Sequence, residues 1–124
     1  MSFPTSSAHD PFVSSEEGQL SLDVFRDGTS LVIRSTMAGV RPEDLEISVH
    51  GDLLTIRGSR MLEEEVPDAE WIYRECFWGA FSRSVVLPYE VVSDDAEARL
   101  KNGLLEIRIP IRESGKKVQV TWEQ

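Results

Sequence analysis

GAFSRSVVLP (Gly79 to Pro88) and AEARLKNGLLEIRIPI (Ala96 to Ile111) are the two runs that decide the fold of this chain. In the first, Phe81 to Leu87 reads as a strand that Pro88 ends, because proline has no N–H to offer a ladder. In the second, Ala98 and Leu100 mark one strand, and Leu105, Ile107, Ile109 and Ile111 alternate with Glu106, Arg108 and Pro110 to mark another. Lys101-Asn102-Gly103 between them reads as a hairpin turn, since Asn and Gly both tolerate positive φ. Alternation of this kind buries one face of each strand and wets the other.

The same pattern extends upstream. Leu20, Leu22 and Val24 alternate with Ser21 and Asp23, and Asp27-Gly28 supplies a turn. Leu31 and Ile33 then oppose Arg34 and Thr36 until Gly39 and Pro42 break the run. Leu45, Ile47 and Val49 alternate with Glu46, Ser48 and His50; a turn at His50-Gly51-Asp52 leads to Leu54 and Ile56 against Thr55 and Arg57. Short strands at this spacing, with Gly-rich turns and no sustained helical period, predict an all-β sandwich.

Three segments stand apart. Residues 1–19 are rich in Ser and Pro and lack Lys and Arg, so they read as a flexible arm with Phe3, Phe12 and Val13 as its large apolar groups. Residues 60–78 form a connection too long for a meander, acidic at first and ending in the cluster Trp71, Ile72, Tyr73. That cluster reads either as a short strand that pairs elsewhere or as a flap over its own sheet. Beyond Ser114-Gly115, the segment 112–124 carries a small apolar-polar-apolar element, Val118-Gln119-Val120. From Pro110 to Val118 the chain spans about 25 Å at roughly 3.3 Å per residue, enough to dock on the domain's own edge or on a neighbour. The domain itself is assigned to 20–111.

Composition narrows the function. With 22 acidic and 13 basic side chains the net charge is −9, which disfavours nucleic acid and anionic membranes as partners. No window approaches the roughly 18 apolar residues that a membrane helix needs. The single cysteine, Cys76, makes no internal disulfide, and residues 1–12 lack the basic start and apolar run of a secretory signal. A cytoplasmic location is the expectation.

Chemistry is sparse. The chain has no GxSxG elbow, no phosphate loop ending in Lys-Ser/Thr and no HExxH. His9 and His50 are far apart in sequence, and one cysteine does not make a structural zinc site. His50 reads as a polar strand end, Cys76 beside Trp78 as a small, partly buried apolar group, and Asp94-Asp95 and Glu63 to Glu65 as solvated carboxylates. No catalytic residue, metal or cofactor is expected.

From about Leu20 to Val120 the chain resembles the α-crystallin domain of small heat-shock proteins. Three blocks carry the resemblance: MAGVRPEDLEISVHGDLLTIRGSR; FSRSVVLP, similar to the family's F-x-R-x-x-x-L-P; and Ala98, Gly103 and Leu105 in the spacing A-x-x-x-x-G-x-L. It departs from the family pattern at Ala38-Gly39, where Pro-Gly is usual, and at Val86, often arginine. The resemblance implies an immunoglobulin-like sandwich of seven to eight antiparallel strands, a homodimer as building block and possible higher oligomers. It also implies ATP-independent holding of partly unfolded client proteins. Trp71, Ile72 and Tyr73 occupy the place of the loop strand that pairs with the partner subunit. Val118 and Val120 resemble the C-terminal Ile-x-Ile/Val element. Its groove in relatives maps to Leu45, Ile47 and Val49 on one strand and Ala98 and Leu100 on another.

Two other functions compete with the holdase. One is an assembly modulator that co-assembles with related small heat-shock proteins, which the small apolar content of residues 1–19 favours. The other is a co-chaperone adaptor of the CS type, which shares a similar sandwich but generally lacks the A-x-x-x-x-G-x-L spacing and the V-x-V element.

Overall fold

The computed structural model describes residues 20–113 and 118–124. The arm expected over 1–19 and the break at Ser114-Gly115 lie outside the described residues. Seven strands form: β1 (Asp23–Asp27), β2 (Ser30–Thr36), β3 (Leu45–His50), β4 (Leu53–Arg60), β5 (Gly79–Val86), β6 (Glu97–Lys101) and β7 (Leu104–Pro110). All pairings are antiparallel, in a four-stranded sheet ordered β1-β2-β7-β6 and a three-stranded sheet ordered β3-β4-β5. Seven antiparallel strands in two sheets make the expected all-β sandwich.

Alternation sets which side chains meet. Leu31 and Ile33 on β2, and Leu105, Ile107 and Ile109 on β7, are buried and pair across the ladder as Leu31–Ile109, Ile33–Ile107 and Ser35–Leu105. Leu54 and Ile56 on β4 and Phe81 on β5 supply the facing layer, with Met37, Val40, Leu87 and Val91 closing the core. Ser35 sits among them and donates its hydroxyl to the Ser21 carbonyl at 2.8 Å, which relieves the cost of burying it.

The turns follow their residues. Asn102 and Gly103 take φ of 53° and 77°, the left-handed pair that a tight hairpin demands. Gly58 answers a different need: a Cβ there would sit 2.7 Å from the Phe81 ring and 2.8 Å from the Asp44 carbonyl oxygen. Phe81 stands opposite Gly58 in the β4–β5 register, so the missing side chain is the space the ring needs.

The first strand differs from its reading. Leu20 and Leu22 lie before β1, which begins at Asp23 and is exposed along its whole length. Leu20 is buried in the core and Leu22 packs against it. Arg83 of β5 donates to the Leu20 carbonyl at 2.9 Å, so these residues strap one sheet to the other. An outermost strand pairs on one side only, and period 2 alone does not tell a strap from an edge strand.

A second small apolar centre lies on the outer face of the four-stranded sheet. Val32 is fully buried there, outside the main core, opposite Phe25 on β1 and Arg108 on β7. Arg34 lies 4.9 Å over the Phe25 ring and bonds Glu106 at 2.9 Å, and Arg108 bridges Glu106 (3.4 Å) and Asp27 (3.0 Å).

Candidate functional site

The strap between Arg83 and Leu20 brings the β5 edge beside the β1 side of the sandwich. β3 and β6 are the other two edge strands, and neither has a ladder partner beyond β4 and β7 among the described residues. Register shows which way their side chains point. Leu45, Ile47 and Val49 stand opposite Gly58, Ile56 and Leu54, whose positions face the core. Ala98 and Leu100 stand opposite Ile107 and Leu105, also buried.

All five residues thus belong to core-facing positions, yet none is buried. Leu45, Ile47, Val49 and Leu100 are half-buried and pack against the core rim, and Ala98 is exposed. Two unpaired strand edges thus carry inward-facing apolar side chains that are left half open. Such an edge offers a row of free N–H and C=O groups together with alternating side-chain sockets, the arrangement that takes up an added strand.

The acidic connection is differently built. Within this chain Trp71, Ile72 and Tyr73 form no strand; they follow a single 3-10 turn, Asp68–Glu70. Trp71 is half-buried, with the Arg74 guanidinium 4.6 Å over its ring. Ile72 and Tyr73 are 89% and 80% exposed, so neither is a flap over the sheet. Cys76 is exposed rather than partly buried, because the connection stands off the sandwich instead of joining a ladder. Val118 and Val120 are exposed at 84% and 88%. Among the described residues no cluster of His, Cys, Asp and Glu has the makings of a metal site, and no helix is long and apolar enough to cross a membrane.

The outer-face chain Asp27–Arg108–Glu106–Arg34 was not legible as a unit in the sequence. Its signal was the alternation Glu106, Arg108 opposite Arg34, which needs the β2–β7 register before it means anything. The Arg34 hydrogen bond holds the Glu106 carboxyl below the usual carboxylate range; partial desolvation opposes this and Arg108 adds to it.

Unpaired edges beside exposed apolar side chains are an arrangement that can take up protein segments. Residues 23–121 match the model of the Hsp20/alpha crystallin family, and the chain belongs to that family, whose members are chaperones and not enzymes. It is 32% identical over 108 residues to small heat shock protein C2 of Rickettsia felis, covering 86% of this chain and 70% of that protein. It is 36% identical over 96 residues to a chloroplastic small heat shock protein of Solanum lycopersicum, covering 77% of this chain and 40% of the relative. Among solved structures it is similar to heat shock protein 16.0 from Schizosaccharomyces pombe, with a TM-score of 0.71 and 29% identity over 86% of this chain and all of that one. Small heat shock proteins generally form oligomers and bind client proteins.

Proposed function

We propose that this chain is an ATP-independent holdase, which binds partly unfolded proteins on its apolar cleft and so keeps them from aggregating. The observation that carries the reading is Ala98: its register faces the core, and it is nevertheless exposed. An unfolding chain presents extended apolar segments, and the cleft matches them with sockets on both edges and backbone groups to pair. Val118 and Val120 are two residues apart, so in an extended conformation they leave the same face and compete for the same positions. Tail and client then compete, and stress shifts the population from covered to open clefts. Valine lacks one methylene of isoleucine, so this tail docks about 1–2 kcal/mol more weakly than an Ile pair, at about 0.8 kcal/mol per CH₂. Open clefts are correspondingly more populated.

In the same reading the building block is a homodimer in which Ile72 and Tyr73 cover a partner's strand edge, and higher oligomers form through the tails. The free thiol of Cys76 supports a cytoplasmic location. The test is light scattering from a heat-denatured model client without nucleotide, in the presence of the wild-type chain or Ala98→Asp. Ala98 is exposed, so the carboxylate leaves the fold intact and puts a charge in the cleft. Wild type suppresses the scattering and Ala98→Asp loses most of the effect. Full suppression by the variant would rule out the cleft, and none by the wild type would rule out the holdase.

A further inference from the structure

The apolar stripe of the tail does not end at Val120. Val118, Val120 and Trp122 recur at a spacing of two, so in an extended segment all three side chains leave the same face. All are exposed, Trp122 at 86%. A tryptophan in water on an otherwise polar segment is the costliest of the three to leave uncovered, since a Trp side chain buries roughly 150–250 Å² when it docks. The Hsp20/alpha crystallin match stops at residue 121, so Trp122 lies beyond the family pattern.

The cleft has a matching number of positions. Leu45, Ile47 and Val49 are three half-buried side chains on one face of β3, again two residues apart. At about 3.3 Å per residue both triplets span about 13 Å, so their sockets and anchors stay in step along the whole length. A V-x-V pair fills only two of the three. Ala98 is exposed and is the smaller of the two inward-facing side chains of β6, and an indole covers more apolar area there than a valine does.

The geometry points to Trp122 as a third anchor of the C-terminal element, seated in the β3–β6 cleft of a second copy of this chain. The inference rests on the proposed docking of Val118 and Val120 and extends it by one residue. The tail of this chain does not occupy its own cleft: its three apolar side chains are all exposed. The chain leaves β7 at Pro110, where the Ile111 N–H donates to the Thr29 carbonyl and the Arg112 N–H to the Glu90 carbonyl, each at 2.8 Å.

Full-length wild type, Trp122→Ala, Trp122→Phe and the double variant Val118→Ala/Val120→Ala are compared by light scattering across a concentration series. The tail is exposed, so none of these changes touches the core. Trp122→Ala raises the concentration at which assemblies dissociate at least tenfold, and Trp122→Phe recovers most of the loss. In parallel, the emission attributable to Trp122, taken as wild type minus Trp122→Phe, moves to shorter wavelength as concentration passes the same midpoint. If the double valine variant dissociates more readily while Trp122→Ala matches wild type, the third anchor is refuted and tail docking stands. If neither dissociates differently from wild type, tail docking itself is refuted. A Trp122 emission that stays that of a solvated indole at every concentration also overturns the inference.

Discussion

At Gly58 the requirement is absolute volume rather than backbone freedom. A methyl there meets the Phe81 ring at 2.7 Å and the Asp44 carbonyl at 2.8 Å, and the backbone contact has no rotamer with which to give way. Gly58→Ala therefore costs about 1–3 kcal/mol of stability, as overpacking of a close-packed interior does; chemical denaturation would reveal it, and an unchanged midpoint would show that the β4–β5 contact is looser than drawn. Glu106 carries a pH dependence instead. Its carboxyl is held below the usual range by the Arg34 hydrogen bond. A depressed folded-state pKa contributes stability that is present above the unfolded carboxylate range and is lost as pH falls through the folded value. Glu106→Gln then melts at a slightly lower temperature than wild type at neutral pH, and the gap closes on acidification. A gap independent of pH would mean the ion chain does not contribute. The effect is small, because Arg34 and Glu106 side chains keep 42% and 25% of their exposure.

At the scale of elements, what matters is which edges have neighbours. The hairpin between β6 and β7 was legible in Lys101-Asn102-Gly103 because turn geometry is local: two residues with positive φ close it. The core faces of β2, β4 and β7 were legible for a similar reason, since one buried face and one wetter face make the alternation plain. Leu20 and Leu22 misled because a strap and an edge strand share that alternation, and only the Arg83 bond across the sheets distinguishes them. Trp71, Ile72 and Tyr73 show the limit most clearly. Strand propensity has no expression without a ladder partner, so the segment is irregular within one chain and leaves Ile72 and Tyr73 in water. If they cover a partner's edge as proposed, Ile72→Ser removes about 2 kcal/mol of burial at each of the two symmetric contacts and raises the dimer dissociation constant about a thousandfold. Sedimentation velocity would measure this, with far-UV circular dichroism unchanged. An equal dissociation constant would place the dimer contact elsewhere.

At the scale of the whole molecule, the sandwich has a strapped side and an open side. The β1 and β5 edges are tied by Leu20 and Arg83, whereas β3 and β6 keep core-facing side chains half in water. The net charge of −9 makes copies of the chain repel one another at long range, so the proposed assembly rests on short-range apolar contacts. The sequence by itself determined the strands, their faces and the hairpin, because those follow from periods of two and from turn chemistry within a few residues. It also carried the family resemblance in A-x-x-x-x-G-x-L. The cleft was different. Leu45 and Ile47 carry the same alternation as Leu54 and Ile56, and nothing local says that the first pair stays half open while the second is buried. Only the order of strands in two stacked sheets decided that, because exposure of an inward-facing side chain depends on what lies beyond its strand, and that neighbour is remote in sequence.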